Sequence, residues 1–387
     1  MKTLKQIALA AMLGLAIHSE VFAVDTLYIT GSTAYRAETH TAIGNVLNAG
    51  YTYAHVGGTF SSAQKAIFTG TLTANSQPVI IKTSWSGSTL GMKAVTQGLV
   101  TDFLPDTTPQ STGGTANATN VAPFDSVAPD AGMADSFQNA TPFTSPTLTF
   151  QQVGILPFKW VVNEGGAAAG ITNMTTFLAQ PLYGNGDLPL SFWTGNSAHS
   201  ATKVYAYGRD PGSGTRTVAF AESGVGSNAI VTQYKLTTSG DTITAAAPFP
   251  ITAISGLGST ILGNGGESSG GTVAGAMGKT SAAVSVNGGP ASQAYFVAYV
   301  GITDSATAIS AGATELTWNG VPYSLDNVKN GKYTFWSYQH VTYKSDIAAG
   351  KKAIADAIAT NIKDVVSSPL LSEMNVVRTA DGGTVTP

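Results

Sequence analysis

Apolar runs recur along the chain, each followed by a polar, glycine-containing turn and then by a stretch with helical spacing. Leu27-Tyr28-Ile29-Thr30 runs into Gly31-Ser32-Thr33, and a helix is predicted over 34–47. Val79-Ile80-Ile81-Lys82-Thr83 leads through Trp85-Ser86 to Gly87-Ser88-Thr89 and a helix reaching residue 100. Val204-Tyr205-Ala206-Tyr207 leads to Gly208-Arg209-Asp210-Pro211-Gly212-Ser213-Gly214-Thr215, and Val218-Ala219-Phe220-Ala221-Glu222 follows as a helix-compatible run. Strand-like and helix-like stretches alternate from residue 25 to about 104, which predicts an α/β architecture. Further on, 173–182 reads as a short helix, 230–254 as two strands around Ser239-Gly240-Asp241, and 263–278 as a Gly/Ser-rich stretch turning helical. A last helix is predicted over 346–366, with Ile347, Ile354, Ile358, Ile362 and Val365 on one face and Ser367-Ser368-Pro369 as its stop. Residues 106–131 break the pattern with Pro, Thr, Ser, Gly and Asn, and the tail after Thr379 reads as loose.

The turns carry the candidate chemistry. Where a strand passes through a turn into a helix, the first backbone N–H groups of the helix have no helical partner, and the helix dipole makes that end positive. Such an end binds anions. Each Ser or Thr is also a good helix cap, so one turn alone needs no ligand to explain it. The tripeptide recurs at 258–260 and is not diagnostic by itself. Three such turns, one with Arg209 four residues before Ser213, make a different case. Together they supply hydroxyls, amides and a guanidinium fork suited to a tetrahedral oxyanion.

The order of these pieces resembles the phosphate-binding proteins of bacterial phosphate ABC importers, which are periplasmic solute-binding proteins of the type II class. The specific part of the resemblance is Arg209 followed by Ser213-Gly214-Thr215. Gly31-Ser32-Thr33-Ala34-Tyr35 is similar to the family's first anion loop, and Gly87-Ser88-Thr89-Leu90-Gly91 to its second. Gly132-Met133-Ala134-Asp135-Ser136 is the best match for the run before its anion-facing Asp, although Asp125 and Asp130 lie nearby. The family places an aromatic residue where this chain has Ala34, one position before Tyr35. Arg36 is a cation that the family pattern does not require; it reads either as a ligand group or as an exposed helix residue.

The resemblance implies two α/β lobes with a ligand cleft between them. The first lobe would be 24–157, with an insertion at 104–131, the second 158–299, and 300–387 would return to the first. Crossing segments are expected at Val153-Gly154-Ile155-Leu156-Pro157-Phe158 and at Tyr295-Phe296-Val297-Ala298-Tyr299, and a late first-lobe strand at Tyr333-Thr334-Phe335-Trp336-Ser337-Tyr338. The ligand residues carried over are Ser32, Thr33, Ser88, Asp135, Arg209, Ser213, Gly214 and Thr215. The implied partners are inorganic phosphate, or a close oxyanion, and the permease subunits of an ABC importer.

Composition narrows the rest. Charged residues are 11% of the chain and net charge is −3, so no basic field is available for nucleic acid or anionic lipid. An anion must then be held by local donors. Hydrophobic residues at 43% of 387 are enough for two cores. The absence of cysteine excludes disulfides, thiolate metal sites and cysteine nucleophiles. The N-terminus reads as a signal peptide over 1–23. Lys2 and Lys5 precede an apolar run over 7–17, too short to span a bilayer, and Val21-Phe22-Ala23 fits a cleavage site. A periplasmic or secreted monomer is therefore expected.

Rival motifs are weaker. Gly266-Glu267-Ser268-Ser269-Gly270 has the spacing of a hydrolase elbow, but Leu262-Gly263-Asn264-Gly265 before it is hardly a strand. Gly278-Lys279-Thr280 ends like a P-loop, yet Val273 stands where glycine is needed. No His/Asp/Glu cluster has metal-site spacing, and no cofactor is expected. The reading is a binding protein without catalysis. The alternatives are a secreted surface or matrix module with the same fold and no transport role, and a secreted phosphatase.

Overall fold

The computed structural model describes residues 24–117, 123–251, 257, 260–365 and 369–387. The expected signal peptide lies outside these residues. Among the described residues, no helix is long and apolar enough to cross a membrane.

In the first half, β1 (Asp25–Gly31), α1 (Arg36–Val46), β2 (Thr52–Val56), β3 (Lys65–Thr71), β4 (Pro78–Trp85), α2 (Ser88–Gln97) and β5 (Ala131–Ala134) follow in order. The strand β6 (Thr149–Val162) then leads into α3 (Thr176–Asn185), β7 (Asp187–Pro189), β8 (Lys203–Ala206) and α4 (Gly214–Glu222). A hairpin of β9 (Tyr234–Ser239) and β10 (Thr242–Pro248) precedes α5 (Gly270–Met277), β11 (Ala294–Gly301) and α6 (Ile302–Ser310). The chain closes with β12 (Trp336–Tyr343) and α7 (Ala349–Val365).

One large sheet runs through the molecule in the order β7-β8-β11-β6-β12-β5-β1-β4-β3-β2. Strand β6 is 14 residues long and serves both halves: residues 149–157 pair with β12, and residues 158–162 pair with β11. Every residue from Val153 to Val162 is buried, as expected of a strand covered on both faces. Leu27, Ile29, Ile43, Phe68, Ile81 and Ile358 form the core of the first half. Trp160, Tyr183, Phe220 and Tyr299 fill one face of the second, and Val273, Met277 and Phe296 the other. This is a two-lobed α/β fold.

Four expectations need correction. Helix α2 ends at Gln97 rather than residue 100, because Gly98 adopts a left-handed conformation (φ 63°) as its C-cap. The 104–131 stretch is not irregular throughout. Thr115–Ala116 pairs with β2 at the sheet edge, Asp125–Val127 pairs with Thr101–Phe103, and Leu104 is fully buried. This covering blunts an edge that would otherwise expose unpaired backbone. The chain does not return to the first lobe at residue 300. Helix α6 packs on α5, and Thr314–Glu315 pairs with the second-lobe end of β6, so the return comes with β12. The tail is not loose: Val377 and Thr386 form a bridge, and Asp381 is buried with two hydrogen bonds.

Candidate functional site

Strands β4 and β5 flank β1, and both run parallel to it. Their carboxyl ends therefore open at one edge of the sheet, the place where ligands gather in open α/β folds. Three turns follow from these ends, at Gly31-Ser32, Gly87-Ser88 and Asp135-Ser136. Backbone bonds tie them together: Ser32 N donates to the Met133 carbonyl at 2.7 Å, and Gly87 N to the Gly31 carbonyl at 2.7 Å. Gly87 has φ 102°, a conformation that favours glycine. The Ser88 hydroxyl accepts from Asp135 N at 3.0 Å and donates to Asp135 Oδ1. Asp135 is 1% exposed. Burial raises its pKa, opposed first by the Ser88 hydroxyl and then by the charge of Arg209.

The opposite wall is contiguous in sequence. Strand β8 delivers Arg209, whose Nε and Nη2 donate to the carbonyls of Glu267 and Ser268 at 3.1 and 3.0 Å. The Asp210 carboxylate accepts from Gly212 N at 2.7 Å and folds the turn. Ser213 caps α4 by accepting from Arg216 N at 3.3 Å, as its position predicts. Arg216 itself is engaged elsewhere, by Asn264 at 2.9 and 2.6 Å.

The two walls touch. A Cβ added to Gly214 would collide with Asp135 Oδ1 and with the Ser88 side chain. Thr89 N donates to the Gly212 carbonyl at 3.1 Å, and the hydroxyls of Thr89 and Thr217 lie 3.1 Å apart. Glycine at 214 is thus required by close approach.

Of the residues singled out in the sequence, Ser88, Asp135 and Gly214 are in mutual contact, with Ser32 and Arg209 acting on the Asp135 carboxylate. Ser213 and Thr215 begin α4 and are buried; Thr33 is half-buried on the first turn. Tyr35 does not face an opening. It is fully buried, and its hydroxyl donates to the carbonyls of His340 and, at 3.3 Å, Ala134. The competing acids have other partners: Asp125 pairs with Lys82 at 2.5 Å and Asp130 with Lys351 at 2.8 Å.

Two features escaped the sequence reading. The Gly266-Glu267-Ser268-Ser269-Gly270 segment is the cradle of Arg209, and its Ser269 caps α5 by accepting from Thr272 N at 3.2 Å. Asp304, in the first turn of α6, is pushed to a higher pKa by burial, against the charges of Arg209 and Arg36. An acid three residues after a strand's closing glycine is no recognisable motif, so no local signal marks it. Among the described residues, no group of three or more His, Asp or Glu side chains is gathered as a metal site would need.

A solved structure from Clostridium perfringens, assigned as a phosphate ABC transporter substrate-binding protein and holding phosphate, superposes with a TM-score of 0.50 at 13% identity, over 88% of this chain and 96% of the other. The two chains share a two-lobed α/β fold. An ABC-type phosphate transport receptor from Vibrio cholerae aligns over the same shares, at TM-score 0.46 and 13% identity. The regulatory domain of OxyR2 from Vibrio vulnificus aligns over 89% of this chain and 97% of its own, at TM-score 0.42 and 7% identity. No model of a known protein family matches the chain, and no curated protein matches it. Within this fold, the site described here lies where the two lobes meet.

Proposed function

We propose that this protein binds inorganic phosphate, or a close oxyanion, between its lobes, and that it is a receptor without catalytic activity. The observation that carries the reading is the meeting of Gly214 with Asp135 and Ser88, beside the buried guanidinium of Arg209. One wall offers a fixed cation and helix amides. The other offers hydroxyls and a carboxylate, an acceptor that can take the proton phosphate keeps near neutral pH. Delivery to the permease subunits of an ABC importer, from a position in the periplasm or outside the cell, belongs to the same reading.

Calorimetric titration with phosphate, arsenate and sulfate tests it. Phosphate and arsenate should bind with similar strength and sulfate far more weakly. Failure of all three to bind at millimolar concentration would end the oxyanion reading. Release of phosphate from an aryl phosphate ester by the purified protein would end the non-catalytic one.

A further inference from the structure

Arg36 is the first residue of α1 and follows directly on the first turn of the site. Its Nε and Nη1 are buried and have no hydrogen-bond partner among the described residues. It makes no ion pair within 4.0 Å among them either. A guanidinium cannot shed its charge as a lysine can, so burying one without partners is costly. The nearest acidic influence is Asp304 on the facing lobe, whose charge raises the pKa of Arg36 while burial lowers it. The carboxylate of Asp304 lies against Gly270, at the start of α5. That is the helix whose preceding loop cradles Arg209. Arg36, which opens a first-lobe helix beside the first turn of the site, and Arg209, at the end of a second-lobe strand, thus both feel the charge of Asp304.

We propose that Arg36 is a second cationic ligand residue of the cleft and selects the doubly charged form of phosphate. The inference rests on the phosphate reading and deepens it. The dianion has one P–OH and two negative charges. Asp135 can accept the one proton, and two guanidiniums can meet the two charges. The monoanion has a second P–OH, and a guanidinium has no acceptor to offer it. Other charged or titratable groups near Arg36 do not replace this role. Glu38 lies on the same helix and is partly buried; the His40 ring lies behind it, bonded to the Phe60 carbonyl and to Thr83. Arg209 and Asp304 belong to the other lobe.

The test is phosphate titration of the wild type, Arg36→Gln and Arg36→Lys at pH values on either side of phosphate's second ionisation, with melting temperatures for each. Wild-type affinity should rise toward the alkaline side. Arg36→Gln should weaken binding roughly ten- to a hundredfold there, the range for one charged hydrogen bond, and lose most of the rise. Arg36→Lys, which keeps the charge, should keep most of the rise. Equal affinities of Arg36→Gln and wild type would overturn the proposal, as would an equal loss at both pH values, which marks a merely structural role. If Arg36→Gln does not fold, the wild-type profile still decides: affinity that is flat or falls toward alkaline pH refutes selection of the dianion. A wild type that binds no phosphate at any pH refutes the phosphate reading itself and is thereby distinguishable.

Discussion

The two walls of the site are built in opposite ways. The wall bearing Arg209, Ser213, Gly214 and Thr215 is one unbroken stretch running from the end of β8 into the first turn of α4. The wall bearing Ser32, Ser88 and Asp135 is assembled from three turns spread over 104 positions, and only the parallel pairing of β1, β4 and β5 brings them together. What stands behind each wall also differs. Neutral carbonyls of Glu267 and Ser268 hold Arg209. Behind Asp135 stands a second buried carboxylate, Asp381, which accepts from Phe137 N at 2.7 Å and from the Ser337 hydroxyl at 2.7 Å. One wall is a positive charge bonded to neutral carbonyls, with the acids Asp210 and Asp304 acting on it from nearby. The other sets two acids close together. Disturbing the first should change affinity at every pH, whereas disturbing the second should change selectivity and pH response.

The largest effect should come from the point where the walls meet. Gly214→Ala puts a methyl group into Asp135 Oδ1 and Ser88, both buried and bonded to each other. Phosphate binding should be lost, and small-angle scattering should show no compaction on adding phosphate, whereas the wild type should compact. Binding at wild-type strength would show that the walls need not touch to hold the anion.

Next comes the contiguous wall. Arg209→Ala removes a permanent charge and its hydrogen bonds to the carbonyls of Glu267 and Ser268. Loss of two charged hydrogen bonds to the ligand corresponds to roughly a hundredfold to ten-thousandfold in affinity. The melting temperature should change little, because the Glu267 carbonyl still accepts from Asp210 N at 3.1 Å and Ser268 is exposed to water. A fall in stability with unchanged phosphate affinity would make Arg209 a structural residue only.

The same contrast governs what could be read from the sequence. The strands and helices leading into each turn were legible, because apolar runs, glycine turns and helical spacing are local signals. Arg209 to Thr215 was legible for the same reason. Asp135 was legible only as one of three acids, and what separates it from Asp125 and Asp130 is their pairing with Lys82 and Lys351. Those pairs join residues 43 and 221 positions apart, which no local pattern reveals. The late return of the chain was misjudged for a related reason. Residues 302–318 carry ordinary amphipathic character, and only their packing on α5 and β6 shows which lobe they join.

A smaller change is expected from Asp135→Asn, and it should appear in selectivity. A buried site built to accept a hydrogen bond can reject an analogue lacking the proton by about 10⁴–10⁵. Sulfate lacks it. The amide of Asn can turn its NH₂ toward a sulfate oxygen, so the preference for phosphate over sulfate should narrow. Competition of sulfate against labelled phosphate reads the ratio directly. An unchanged ratio would remove Asp135 from the ligand shell.

The smallest effect on binding, though not on stability, should come from Asp381→Asn. Burial lifts the Asp381 pKa from its ordinary 3.8 to about 7, and the nearby charge of Asp135 adds to this. Hydrogen bonds from Ser337 and Phe137 N, and the charge of Arg378, pull the other way. Between those two pH values the folded protein binds a proton that the unfolded chain has released. Stability from this group is therefore greatest below pH 3.8, falls as pH rises toward 7, and stays at its lowest above that. The buried rings of His40 and His340 have pKa values lowered to about 4 and about 3, so they bind fewer protons folded than unfolded and make stability rise through the acid range. The wild-type curve sums these opposing trends, and only the difference between wild type and variant isolates Asp381. In Asp381→Asn the carbonyl oxygen can still accept from Phe137 N or Ser337, and the titration is gone. Melting temperatures of the two proteins should converge near pH 4 and separate as pH rises, with the variant more stable at pH 8. Phosphate affinity should stay within a few fold, since Asp381 bonds Phe137 and not the anion turns themselves. Parallel melting curves across this range would mean that Asp381 is ionised in the fold throughout, and that the acid behind the Asp135 wall is no more strained than the neutral carbonyls behind the Arg209 wall.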